Sequence, residues 1–198
     1  MGLHERVAAA AGGRLPEWAR VGAERRAHIE RVAALMASWA QRRGMSEEDQ
    51  ARWSAAGYLH DALKEADPDM LRALISEDLG ALPDGVLHGP SAREKLLAEG
   101  VSDAPLLLAV AFHTLGHPDL DDLGRALYVA DFTEPGRPSL GGWREELRDR
   151  MPHELDAVTK EVAAARIRRL VERGVPLSKP TVDFWNALAV EPVRVGGP

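Results

Sequence analysis

Tyr58-Leu59-His60-Asp61-Ala62-Leu63-Lys64 sets a histidine and a carboxylate side by side in an apolar stretch of helical character. An unpaired carboxylate in such surroundings costs several kcal/mol, so a chain that turns His-Asp inward compensates with a cation, a strong hydrogen bond, or both. A metal ion is the leading reading, and a hydrogen-bonded core histidine is the bland one. Adjacent residues on a helix diverge by about 100°, so the pair does not decide the matter alone.

The chain on either side of this stretch is rich in alanine, leucine, glutamate and arginine, and its apolar residues recur at helical spacing. The fold class is therefore all-α. N-terminally, a short helix over residues 3–10 closes at Gly12-Gly13, and Pro16 opens a longer one over residues 16–43 with Ile29, Val32, Ala33, Met36 and Trp39 inward and His28 beside them. Ser46 caps the helix that leads into His60-Asp61. Asp67-Pro68 starts another, through Leu71, Leu74, Ile75 and Leu79. After the break at Leu82-Pro83-Asp84-Gly85, His88-Gly89-Pro90 heads the next helix. Ser102-Asp103-Ala104-Pro105 caps the most apolar helix, which ends in His113-Thr114-Leu115-Gly116. Asp121-Asp122 starts one whose apolar face ends at Asp131, followed by the rigid turn Glu134-Pro135-Gly136-Arg137-Pro138. Two amphipathic helices over residues 139–150 and 152–173 and a terminal helix over residues 181–189 complete the pattern, with residues 192–198 expected to be disordered.

Length and composition bound the function. The 198 residues suffice for one domain with a sizeable core, and no stretch reads as an interdomain linker, so a single domain over residues 1–198 is expected. The chain has no cysteine, which rules out disulfides, zinc ribbons, iron–sulfur clusters and thiol nucleophiles, and leaves nitrogen and oxygen as metal donors. A net charge of -6 with interleaved signs carries no footprint for nucleic acid or an anionic membrane. Met1-Gly2-Leu3-His4-Glu5-Arg6-Val7 is unlike a signal peptide and no stretch is long enough to span a bilayer, so a soluble cytoplasmic protein is expected.

His28, His60, Asp61, His88, His113 and Asp131 all fall at or near helix ends on apolar faces. Six coincidences are far less common than one. Imidazole with carboxylate suits iron, manganese or zinc rather than calcium, and an acid beside a histidine suits bridging two ions.

The ordered set His28, His60-Asp61, His88, His113, Asp131 resembles the HD superfamily of metal-dependent phosphohydrolases. More narrowly, Arg25-Arg26-Ala27-His28, Leu59-His60-Asp61-Ala62-Leu63-Lys64, His88-Gly89-Pro90, Ala111-Phe112-His113-Thr114-Leu115-Gly116 and the run from Tyr128 to Arg137 are similar to the YqeK-type branch of symmetrical bis(5'-nucleosyl)-tetraphosphatases. The likeness covers residues 16–173. It implies an HD-domain helical bundle with two ions, iron for this branch and manganese or another divalent metal as substitutes, that cuts diadenosine tetraphosphate into two ADP. It assigns His28, His60, Asp61 and Asp131 to one ion and His88 and His113 to the other, with Asp61 bridging and a hydroxide between the ions attacking phosphorus in line.

Catalytic weight then falls on Asp61 and Lys64. Substrate contacts are expected from Lys64, His88, Thr114, Gly116, Glu134 and Arg137. Lys64 would act as a point charge and Arg137 as a bidentate clamp or as a partner of Glu134, while Thr114 and Gly116 would offer a hydroxyl and a backbone N–H. His117 either touches a phosphate or is a loop residue, and Trp39, Trp53 and Trp185 fit core positions better than base stacking. The implied partner is a small nucleotide, and a homodimer is compatible with the sequence. Two other readings stay open: an HD phosphohydrolase of nucleoside mono-, di- or triphosphates, and a non-catalytic nucleotide-binding module. A cyclic-dinucleotide phosphodiesterase fits less well without a Gly-Tyr-Pro companion motif.

Overall fold

The computed structural model describes residues 2–137 and 140–190, so the tail over residues 192–198 and the start of the helix placed at residue 139 lie outside the described residues. Among the described residues there are eleven α-helices and no strand: α1 (Glu5–Ala11), α2 (Ala23–Arg42), α3 (Glu47–Leu59), α4 (Pro68–Arg72), α5 (Glu77–Gly80), α6 (His88–Ala98), α7 (Ala104–Phe112), α8 (Asp122–Thr133), α9 (Trp143–Arg150), α10 (Leu155–Glu172) and α11 (Lys179–Val190). None is long and apolar enough to cross a membrane.

Helix starts follow local chemistry. Ser46 Oγ accepts the Asp49 N–H, Asp67 Oδ1 those of Asp69 and Met70, Asp103 Oδ1 that of Leu106, and Asp121 Oδ1 that of Gly124. Each satisfies donors that the helix itself cannot. Two expected helices are shorter than the sequence pattern suggested. The one placed over residues 16–43 begins only at Ala23, because Arg20 N–H donates to Ala62 O (2.7 Å), Glu65 N–H to Arg20 O (3.2 Å) and Gly22 N–H to Glu65 Oε2 (2.5 Å). Backbone groups that a helix would have used are committed to the turn after His60. The stretch from Asp67 to Leu79 divides into α4 and α5.

The apolar side chains gather in two cores. Val32, Met36 and Trp39 of α2 meet Leu127 and Tyr128 of α8, Val158 and Val162 of α10 and Phe184 of α11 in one. Leu59, Leu63, Leu87, Leu96 and Leu106 anchor the other. Helices α3 and α7 belong to both: Ala56 and Ala109 face the first core, Leu59 and Val110 the second.

Two glycines let backbones touch where these helices cross. A Cβ on Gly57 of α3 would lie 2.5 Å from Ala33 Cα of α2, and one on Gly89 of α6 would lie 2.6 Å from Ala111 O of α7. No other residue fits at such a separation. Gly57 stands three residues before His60, and Gly89 one after His88.

Candidate metal centre

Each of the six predicted donors sits at a place where the fold delivers it inward. His28 lies on α2, His60 and His113 follow the last residues of α3 and α7, His88 opens α6, and Asp131 is near the end of α8. All six are buried. His60 Nδ1–H donates to Gly57 O (2.7 Å) and His113 Nδ1–H to Val110 O (2.8 Å), three residues back in each case. The freed carbonyls at the helix ends thus fix both rings, and their Nε2 lone pairs face the centre.

Asp61 stands in the middle. Its Oδ1 is 3.0 Å from His88 Nε2 and 3.4 Å from His113 Nε2, while its Oδ2 is 3.5 Å from His60 Nε2 and 3.6 Å from His28 Nε2. Asp131 Oδ1 is 3.2 Å from His28 Nε2. One carboxylate therefore presents a separate oxygen to each pair of histidines. Donor atoms of His28, His60 and Asp131, and likewise of His60, Asp61 and His113, lie within 4.8 Å of one another.

The electrostatics call for positive charge. Burial opposes ionisation of Asp61, but His60, His113 and His88 outweigh it and hold the carboxyl well below the usual range. Asp131 is held down against burial by His28, Arg166 and Arg137. Burial would lower His60, yet the Asp61 and Asp131 carboxylates raise it. Burial keeps His113 low and pushes His88 down to about 4, so both stay neutral with lone pairs available. His28 and His60 Nε2 lie 3.4 Å apart, and both rings direct Nδ1 at an acceptor, so the tautomer with its proton on Nδ1 turns both Nε2 lone pairs inward. Nitrogen and oxygen donors grouped in this way fit a divalent transition metal.

Glu134, expected among the substrate contacts, is turned elsewhere. It is 2% exposed, its Oε1 is 3.3 Å from His28 Nδ1, and its Oε2 accepts from Arg31 Nε (2.5 Å) and Gly136 N (2.7 Å). Burial acts to raise it, but Arg31, the Gly136 N–H and His28 keep it ionised. It holds His28 from behind and does not line the cavity.

Gly116 is also differently placed: its φ is 78°, its N–H donates to Phe112 O (2.7 Å), and a Cβ there would run into the Phe184 ring at 2.0 Å. It turns the chain and offers no free donor. His88 is buried behind Asp61 and is absent from the cavity wall. His117 Nδ1 accepts the Asp119 N–H, and its ring lies against Phe112. Trp39 and Trp53 are core residues, and Trp185 packs against the first core.

A cavity of about 360 Å³ opens onto Asp61, His113 and Asp131. Lys64, Thr114 and Arg137, expected as substrate contacts, are among the residues that line it. Lys64 Nζ donates to Gly85 O (3.0 Å), and Arg137 pairs with Asp131 (2.5 Å) rather than with Glu134. Sequence reasoning missed the other cations of the wall: Arg25, bonded to Asp61 Oδ2 at 2.8 Å, and Arg144, Arg166, Arg169 and Arg173. The signal was there: Arg166, Arg169 and Arg173 recur at helical spacing along one face of α10 and its C-cap.

The family model for the HD domain matches residues 25–136, which hold all six donors. A symmetrical bis(5'-nucleosyl)-tetraphosphatase of Halalkalibacterium halodurans is 29% identical over 149 residues, covering 72% of this chain and 79% of its own length. One of Staphylococcus aureus is 26% identical, covering 80% of this chain and 84% of its own. A crystal structure from Clostridium acetobutylicum, described as a predicted HD superfamily hydrolase involved in NAD metabolism, superposes with a TM-score of 0.74 at 23% identity, over 95% of this chain and 98% of the other. It shares the helical bundle.

Proposed function

This chain belongs to the HD-domain family, and we propose that within it the protein is a metal-dependent phosphohydrolase that cleaves a symmetrical dinucleoside tetraphosphate into two nucleoside diphosphates in the cytoplasm. The observation that carries the reading is the division of the Asp61 carboxylate between two histidine pairs at the floor of a cation-lined cavity. The relatives named as symmetrical tetraphosphatases supply the substrate class.

We assign His28, His60, Asp61 and Asp131 to one divalent ion, and Asp61, His88 and His113 to the other, with iron as the expected metal and manganese as its substitute. When bound, such ions neutralise phosphoryl oxygens and lower the pKa of a water toward neutrality. The protein's own contribution is arrangement. Gly57 O and Val110 O hold His60 and His113, and Glu134 holds His28, so that few donors must reorganise. Above them Lys64 and Arg137 meet the phosphates, Lys64 as a point charge and Arg137 as a fork already braced on Asp131. Thr114 offers a hydroxyl on the same wall.

The test is product identification. Iron- or manganese-loaded protein given diadenosine tetraphosphate should yield ADP as the sole nucleotide product by chromatography. AMP with ATP, or no cleavage beside ready hydrolysis of nucleoside mono-, di- or triphosphates, refutes the substrate assignment.

A further inference from the structure

Four arginines, Arg144, Arg166, Arg169 and Arg173, line the cavity together with Phe132, Leu170 and Thr181. Arg166, Arg169 and Arg173 recur along α10 and its C-cap, Arg144 of α9 stands beside them, and the carboxylates of the cavity, Asp61 and Asp131, lie at its floor. Arg166 is fastened: it donates to Thr114 O (3.1 Å), Tyr128 O (3.1 Å) and Asp131 Oδ2 (2.9 Å), and stacks on Tyr128 at 4.3 Å. Arg169 and Arg173 are exposed at the mouth, and their side chains make no hydrogen bond or ion pair with any described residue. Arg144 lies over the Phe132 ring at 4.8 Å, and its pKa is lowered by burial and by the like charges of Arg137, Arg169 and Arg166 against the attraction of Glu134.

Cations stacked on one wall repel each other unless an anion lies among them. The row rises about 10 Å from Arg166 to Arg173 at 1.5 Å per residue, which is longer than a single phosphate needs. Arg168, exposed on α10 but off the cavity wall, is what an ordinary solvated arginine looks like on the same helix.

We propose that Arg169 and Arg173, in line with Arg144, form a second phosphate-binding track that reads the length of a polyphosphate chain, gripping the phosphates farther from the buried donors. This deepens the tetraphosphatase reading and rests on it for the identity of the nucleotide. The ligand class itself, a linear chain of three or more phosphates, follows from the row of guanidinium groups.

The full-length protein would be titrated calorimetrically with methylene-bridged tripolyphosphate and with orthophosphate. In R169A/R173A, affinity for the phosphate chain should fall by about tenfold per arginine removed, with orthophosphate changed by less than about twofold. R169K/R173K should recover part of the loss, and R168A should behave as the unmodified protein. In turnover of diadenosine tetraphosphate the double variant should raise KM and spare kcat. Equal losses for both anions, an equal loss in R168A, or no loss at all overturns the track. Should diadenosine tetraphosphate resist cleavage while R169A/R173A still abolishes chain-length discrimination, the substrate assignment fails and the track stands. Cleavage to ADP with discrimination unaltered keeps the substrate and removes the track.

Discussion

If His28 holds an ion as proposed, replacing Glu134 with alanine should loosen that ion while leaving the bundle folded. The Glu134 carboxylate is 3.3 Å from His28 Nδ1 and is itself held by Arg31 and the Gly136 N–H, so it fixes both the orientation of the imidazole and the tautomer that leaves Nε2 free. Carboxylates that stand behind a ligating histidine contribute about 10- to 100-fold in metal affinity, which is about 1.4 to 2.7 kcal/mol. Glu134 is buried and bound on both oxygens, which points to the upper half of that range. Arg31, whose side chain is 39% exposed, can rehydrate when its partner is lost, so little folding energy should vanish with the carboxylate. Competition between the protein and a fluorescent chelator for manganese would measure the affinity, with circular dichroism reporting the fold. E134Q keeps an acceptor for Nδ1–H and should fall between alanine and the native residue. If E134A bound manganese as tightly as the native protein while H28A did not, the idea that Glu134 acts through His28 would be wrong.

Gly57→Ala and Gly89→Ala should each destabilise the protein by about 2 to 4 kcal/mol, read from urea denaturation, because the added methyl meets backbone at 2.5 and 2.6 Å. An effect below about 0.5 kcal/mol would mean that the helix crossings have slack. Asp103→Ala removes a helix cap and the Arg52 ion pair, an expected loss of about 1 to 2 kcal/mol at neutral pH. Burial acts to raise the Asp103 carboxyl, but Arg52 and the Leu106 N–H lower it below 3.8 in the folded chain. Its contribution is therefore complete above the unfolded value and is lost as pH falls through the folded one, so native and variant stabilities should converge in acid. A gap that stayed constant with pH would contradict the ion pair.

Helix type and starts were legible in the sequence because they depend on local chemistry: Ser46, Asp103 and Asp121 are caps whatever the tertiary context. The six donors were legible because histidines and aspartates on apolar faces are costly without a purpose, and the fold does bring all six together. Residues 16–22 were misread because Pro16 looks like a helix start, whereas a turn forty residues onward takes their hydrogen bonds. Glu134 was expected at the phosphates and the structure turns its carboxylate to His28 and Arg31, because position in sequence does not say which way a carboxylate points. Gly57 and Gly89 were hidden in helices where alanine would read the same. The α10 arginines were passed over because an amphipathic pattern is judged by its apolar face, and the charged face was taken for solvent.

The six donors are carried by, or directly follow, five helices, and the chain from His28 to Asp131 must fold before they meet. A random coil holds no comparable nest of ligands, so an ion taken up by the centre has almost nothing to bind once the chain melts. Occupancy should therefore be visible by thermometry alone: metal at a hundred times its dissociation constant would add about 2.7 kcal/mol to the folded state. A melting curve recorded against each candidate ion in turn becomes a ranking of ions that needs no substrate.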